Sequence, residues 1–466
     1  MALHPDRLLP IEGEARAVAR RLLSSVEALP IVSPHGHTEP EWYARNAAFP
    51  DPAALFVIPD HYIFRMLYSQ GVPLETLGVP RIDGGPVETD GRRIWRLFAS
   101  HFHLFRGTPS RLWFEHALES VFGIEERLDA TNADRLYDHI AQALTREDMR
   151  PRALYERFRI EAIATTDCAL NDLASHEDIL ASGWGGRVLP TYRPDAVVDP
   201  DRPGFLDALS RLFALTGEPE TWSGYLAAHR TRRMFFKSLG ATATDHGHPT
   251  ALTADLPVCE AIVLFDKIRS GAATAAEREM FRAQMLTEMA RMSRDDGLVM
   301  QIHPGSVRNH NSALFARFGF DKGADIPSAT EYVRALRPLL DAVGNDPSVT
   351  VILFTLDEAA YSRELAPLAG HYPALRLGPA WWFYDSVEGM RRFRETTSET
   401  AGIYNTVGFN DDTRAFLSIP ARHDMARRVD CAWLSRLVCD GRIEEDEAFE
   451  MAHDLSYRLA KEAYRI

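Results

Sequence analysis

Eight short runs of β-branched, aliphatic or aromatic residues recur along this chain, and longer stretches with helical spacing separate them. That alternation restricts the chain to repeated βα units, because parallel neighbours need a long crossover, usually a helix. The runs are LPIVSPHGH (29–37), IEAIATTD (160–167), RVLPTYRPD (187–195), GATATDHG (240–247), GLVMQIHPG (297–305), SVTVILFTLD (348–357), ALRLGPAWWF (374–383) and YNTVGFNDDTR (404–414). Eight units predict an α/β fold, a (β/α)8 barrel. Chemistry in that fold collects at the C-terminal strand ends, where most polar groups of these runs fall.

The first two runs are too far apart for a simple crossover. Residues 40–155 are therefore expected to be a helical insertion after strand one, packed on a barrel built from 1–39 and 156–466. RRIWRLFASHFHLFRG (92–107) and PSRLWFEHALESVFGI (109–124) within it are amphipathic and aromatic-rich. Helices are also predicted over 275–295, 329–344 and 386–402, the last stopping at Gly402. In the first of these, Met280, Phe281, Met285, Met289 and Met292 form a core stripe.

The net charge of −14 argues against a nucleic-acid or anionic-membrane partner. Local arginines still permit a small anionic substrate. Four scattered cysteines without C-x-x-C argue against a disulfide framework and a thiolate zinc site and fit a reducing cytoplasm. The N-terminus lacks a signal-peptide core, and no apolar run approaches the roughly 20 residues of a membrane span. A homo-oligomer is expected. No P-loop, dinucleotide fingerprint or G-x-S-x-G elbow is present.

His35-Gly36-His37 closes the first run, and residues i and i+2 of a strand share a side. Two imidazoles there can hold one metal ion. A third ligand is needed, and Asp412, at the end of the last run and thus beside the first strand, can supply it. Asp411 has the same composition, and pattern alone favours neither. Two His and one Asp suit zinc, with manganese or iron compatible. Arg193, Arg308 and Arg414 follow three different strands and can bind a carboxylate bidentately, or each can pair with a neighbouring acid. His303 and Arg308 sit in a Gly- and Asn-rich loop. Tyr62, next to His61 in the insertion, can relay a proton or be a packed aromatic. Trp382, with Trp381, can wall a sugar site or pack in the core.

HGH (35–37), DHYIFR (60–65), ATTD (164–167), LPTYRPD (189–195), DHG (245–247), IHPGSVRNHNS (302–312), AWWFYDSVEGM (380–390) and DDTRAFLSIPARHDMARR (411–428) together resemble the uronate (glucuronate) isomerases, a divergent branch of the amidohydrolase superfamily. The resemblance covers nearly the whole chain. It implies interconversion of D-glucuronate with D-fructuronate, or of D-galacturonate with D-tagaturonate, through a cis-enediolate. It also implies one divalent metal, zinc, on His35, His37 and Asp412, the acid two residues before Arg414. His61, Tyr62, Arg193, His303, Arg308, Arg414 and Arg422 become substrate or catalytic positions. Arg414 is expected to stabilise the enediolate, with Asp412 and Tyr62 moving protons. Strand four carries Asp245-His246 rather than the metal-bridging lysine of many hydrolases in that superfamily, which fits a single metal. The alternative is a mononuclear metal-dependent hydrolase of an anionic lactone, ester or amide.

Overall fold

A computed structural model describes residues 3–379 and 381–466. Ala380, inside the seventh run, lies outside the described residues, as do Met1 and Ala2. The fold is mixed α/β with parallel sheets. The first run forms β1 (Ile31–Ser33), and the second forms β2 (Ile160–Ala164) and β3 (Asp167–Cys168). The third forms β4 (Val188–Leu189) and β5 (Tyr192–Arg193). Then come β6 (Ala243–His246), β7 (Val299–Ile302), a short pair β8 (Ser306–Val307) and β9 (Ile326–Pro327), β10 (Val351–Leu353) and β11 (Leu375–Leu377).

One sheet has the order β1-β2-β4, and the other β11-β10-β7-β6-β5-β3. All their pairings are parallel, whereas β8 and β9 pair antiparallel. Bonds from the amides of Ile163, Thr165, Asp167 and Ala169 to the carbonyls of Arg187, Leu189, Thr191 and Arg193 carry one ladder across both sheets. Parallel strands covered on both faces read as continuous apolar runs. Every residue of β7 and β10 is indeed buried. Every residue of β6 is buried too, although two of its four side chains are Asp245 and His246.

The eighth run departs from expectation. It makes only a single parallel bridge, Thr406 to Leu377, with Val407 N–H donating to Leu377 O at 3.0 Å. Gly408, at φ 72°, turns the backbone out of extended geometry straight after the bridge. The segment regains partners at its far end, where Asp412 N–H donates to His35 O (3.2 Å) and His37 N–H to Thr413 O (3.0 Å).

The helix Ala275–Asp296 opens on a capping box, Thr274 with Glu277. Phe281, Met285, Met289 and Met292 are buried, but Met280 faces solvent, one position off the inward stripe. The helix expected over 329–344 begins only at Arg337. Pro338 can stand in a first turn but not in a helix interior. The helix Val387–Ala401 stops at Gly402 as expected.

Between residues 34 and 159 the described chain is helical and holds no strand. Its apolar faces pack on one another and on Ile31, Ile160 and Ile163. At the centre, Phe98 lies 5.2–5.8 Å, ring to ring, from Trp95, Phe102, Phe105 and Phe114. Edge-on aromatic packing of this kind adds to simple burial. Phe98→Ala is expected to destabilise the protein by about 3–5 kcal/mol, read as a lower urea midpoint at unchanged native secondary structure.

Candidate functional site

A cavity of about 380 Å3 opens where the C-terminal ends of the strands meet the insertion and the β8–β9 loop. That volume suits a small ligand. Of the residues expected to serve a site, His35, His37, His61, Tyr62, Arg193, His303, Arg308, Trp382, Asp412 and Arg414 all line it. Arg422 does not.

The centre of the cavity is an imidazole–carboxylate cluster. Asp412 Oδ1 lies 3.3 Å from His35 Nε2 and 3.1 Å from His37 Nε2. His303 joins them, for one donor atom each of His35, His303 and Asp412 fall within 4.8 Å of one another. The His303 ring stacks on His35 at 4.8 Å. Its Nδ1 is bonded to Asp245 Oδ1 at 2.7 Å, and its Nε2 is buried without a partner among the described residues. An imidazole held from behind by a carboxylate, with its other nitrogen open, has the outer-shell arrangement of a metal-binding histidine. The donor set therefore fits one divalent ion. Burial alone would raise the Asp412 carboxyl, but the two imidazoles hold it well below the usual carboxylate range.

Asp412 reaches the cluster from a left-handed backbone, φ 42°. Its neighbour Asp411 turns the other way and meets His423 Nε2 at 3.1 Å. Geometry thus separates two aspartates that composition could not.

Each arginine has an acid partner. Arg193 Nε donates to Asp195 (2.8 Å), and its Nη1 lies 3.1 Å from Asp245. Arg308 meets Asp325 at 3.3 Å, and Arg414 meets Asp321 at 3.1 Å. The Arg414 Nε is buried and has no partner among the described residues.

The opposite wall is aromatic. His61 stacks on Trp382 at 4.4 Å, with both ring nitrogens unpartnered among the described residues. The Tyr62 hydroxyl stands 3.0 Å from both Trp382 O and Asp385 Oδ2. Burial, with the Asp385 charge behind it, pushes the Tyr62 hydroxyl well above its ordinary pKa. Arg422 lies behind this wall. It is fully buried, with Nη1 bonded to Asp385 (2.7 Å) and to Asp411 O (3.1 Å), and its guanidinium lies 3.6 Å over Trp113. Its place is to hold Asp385, and through it Tyr62.

Sequence reasoning missed Asp321 and Asp385. Asp321 sits in a loop whose only local signal is the flanking Gly319 and Gly323, and Asp385 reads as an ordinary residue before a helix. Asp167 was marked only as the end of a run. It also lines the cavity, where burial pushes its carboxyl up to about 6.

A small polar cavity at the ends of parallel strands, with a cluster able to hold a metal and several guanidinium groups, belongs to an α/β small-molecule enzyme. The family model described as glucuronate isomerase matches residues 14–464. The chain is 68% identical to the uronate isomerase of Brucella canis over 466 residues, all of both chains. It is also 68% identical to that of Rhizobium meliloti over 465 residues, covering 100% of this chain and 99% of the relative. The crystal structure of glucuronate isomerase from Caulobacter crescentus superposes with a TM-score of 0.98 at 58% identity, covering 100% of this chain and 97% of that one. The uronate isomerase of Thermotoga maritima gives 0.92 at 27% identity with both chains fully covered. The chain belongs to the glucuronate isomerase family and is an isomerase.

The raised Asp167 carboxyl predicts a pH signature. Its folded value of about 6 exceeds the unfolded value of about 4, so the native state binds more protons between them. Stability is then lost as pH rises through that window. Wild-type protein is expected to lose about 2–3 kcal/mol relative to Asp167→Asn between roughly pH 4 and 6.5, measured as urea unfolding of both proteins across that range.

Proposed function

We propose that this chain interconverts D-glucuronate with D-fructuronate, D-galacturonate with D-tagaturonate, or both, by proton transfer through a cis-enediolate. The observation that carries the reading is the convergence of Arg193, Arg308 and Arg414 with the His35–His303–Asp412 group and the adjacent His37 in one sugar-sized cavity, in a chain of this family. One divalent ion, zinc, is proposed on His35, His37 and Asp412, with His303 close enough to share in holding it. When bound, it would supply positive charge to orient and polarise the acid sugar's oxygens.

The chain's own groups account for the rest. In the aldose-to-ketose direction the C2 proton leaves, the C1 carbonyl oxygen gains a proton, and a proton returns to C1 as O2 becomes the carbonyl. A C–H next to a carbonyl is weakly acidic, so the developing negative oxygen needs a fixed cation. Arg414 has that role, worth on the order of 3 kcal/mol by analogy with an oxyanion donor. Tyr62 stays protonated at neutral pH, which suits it to give a proton to the sugar oxygen. Asp412 stays ionised, which suits it to accept one. Trp382 and His61 form a flat wall against the sugar, and Arg193 and Arg308 hold its charged end.

We read 1–39 and 156–466 as one distorted (β/α)8 barrel and 40–155 as a helical insertion on it. The ladder across both sheets and the links from Val407 to β11 and from Asp412 and Thr413 to the first run support a closed ring. Four free cysteines support the expected reducing cytoplasm.

Proton NMR of the metal-loaded protein with D-glucuronate or D-galacturonate in heavy water is expected to show the matching ketose and deuterium entering the carbon that exchanges its proton. Hydrolysis has no need to touch that proton, so an unchanged sugar alongside cleavage of lactones or esters would move the assignment to the hydrolase. Arg414→Met is expected to lower kcat by about 10²–10³-fold and Tyr62→Phe by about 10²–10⁴-fold, both with metal content intact. His35→Ala and Asp412→Asn are expected to lose the metal, and Asp411→Asn to keep it, by elemental analysis of dialysed protein.

A further inference from the structure

The loop between β8 and β9 places an acid where an anionic sugar has to bind. Asp321 Oδ2 lies 3.1 Å from Arg414 Nη2. Arg414, Arg193 and Arg308 together hold its carboxyl below the usual carboxylate range. These are the same three arginines assigned above to the acidic sugar.

The loop is shaped to present this side chain. Gly319, Asp321 and Gly323 all have positive φ, at 76°, 61° and 70°, which costs the non-glycine Asp321 about 1 kcal/mol. A Cβ on Gly323 would stand 2.9 Å from Arg65 Cβ and 3.2 Å from His61 O, so the turn is pressed against the helix that carries Tyr62. Phe320 lies under the Arg202 guanidinium at 4.8 Å and edge-on to Phe315 at 4.9 Å.

Charge balance then becomes the issue. Eight carboxylates and four arginines line the cavity, and a further anion entering that surplus is repelled. Most of those acids are fixed. Asp60 caps the Tyr62 amide, Asp195 and Asp325 each hold a backbone amide, Asp245 holds His303, and Asp167 accepts from Thr165. Asp321 is half-exposed, and among the described residues its side chain is tied only to Arg414. Conversely, without Asp321 the Arg414 guanidinium would have no acceptor among the described residues.

We propose that Asp321 is an internal stand-in for the substrate carboxylate: it balances the charge of the Arg193, Arg308 and Arg414 group in the free enzyme and gives way when the sugar's carboxylate binds to Arg193 and Arg308. Asp321 is thus a positioning residue that sets the anion affinity of the site. The proposal rests on the uronate-binding reading of this cavity. A competitor displaced equally in ground state and transition state alters KM and not kcat.

The test is calorimetric binding of D-gluconate, an open-chain sugar acid that cannot isomerise, to metal-loaded wild-type and Asp321→Asn proteins. A half-exposed ion pair of this kind is worth up to about 1 kcal/mol, so the variant is expected to bind D-gluconate about fivefold more tightly. KM for D-glucuronate should fall by a similar factor with the change confined to KM. The neutral polyol D-glucitol should bind both proteins alike, and Asp321→Glu should restore near wild-type gluconate affinity. Unchanged or weaker gluconate binding by Asp321→Asn would overturn the proposal. So would a collapse of kcat at unchanged gluconate affinity, which would make Asp321 part of the chemistry. Failure of the wild-type holoenzyme to isomerise either sugar would strike the functional reading separately, while the gluconate comparison would still decide what Asp321 does.

Discussion

Two backbone hydrogen bonds bring the two ends of this chain together. Asp412 N–H donates to His35 O and His37 N–H to Thr413 O, and through them a segment near residue 412 lies beside the first strand. The imidazole–carboxylate cluster exists only because of that meeting. Neither histidine has another acidic neighbour within ion-pair distance among the described residues. The left-handed turn at Asp412 directs its carboxylate at the two imidazoles while Asp411 points to His423. A glycine at 412 would relieve the backbone cost but could not supply the oxygen. Local strain is retained where the surrounding bonds fix it and where a functional group depends on it.

Around the cluster lies a layer of buried charges that is costly unless paired. Asp245 shows how the pairing is shared. One oxygen holds the His303 ring and the other lies beside Arg193, so a single buried carboxylate orients a cluster histidine and a cavity-lining arginine. The Arg193 guanidinium and His303 hold Asp245 well below the usual carboxylate range although burial opposes them. The same economy appears on the aromatic side, where Asp385 accepts from both Tyr62 and Arg422. Burial pushes that carboxyl up to about 6 against those partners, as it does Asp167.

Sequence pattern disclosed the strands and the residues at their ends because both follow from local rules: burial on two faces makes an apolar run, and a side chain two positions on keeps its side. Seven of the eight runs therefore form strands where the pattern puts them, and ten of the eleven singled-out residues line one cavity. Three things resisted that logic. The eighth run looks like a strand but is bent by Gly408, and its partners are set by tertiary geometry. Met280 satisfies the spacing of a core stripe yet faces solvent, because a helix has more positions near its inward face than it can bury. Asp321 and Asp385 pair with residues outside their own segments, Arg414 for the one and Tyr62 and Arg422 for the other, and no local spacing announces such pairings.

Arg422 shows why a motif position and a contact are different statements. The resemblance puts it among substrate positions, yet its guanidinium is spent on Asp385, on the Asp411 carbonyl and on the face of Trp113. Those three partners belong to three parts of the chain: the segment before the helix Val387–Ala401, the turn that presents Asp412, and the helix Pro109–Phe122 of the insertion. One buried cation thus couples the insertion to the closing turn. The coupling matters because the insertion supplies Tyr62, whose hydroxyl depends on Asp385, while the turn supplies Asp412. Under the proposed mechanism, proton transfer between adjacent sugar carbons needs Tyr62 and Asp412 held at a fixed separation, and Arg422 would set that separation without touching the sugar.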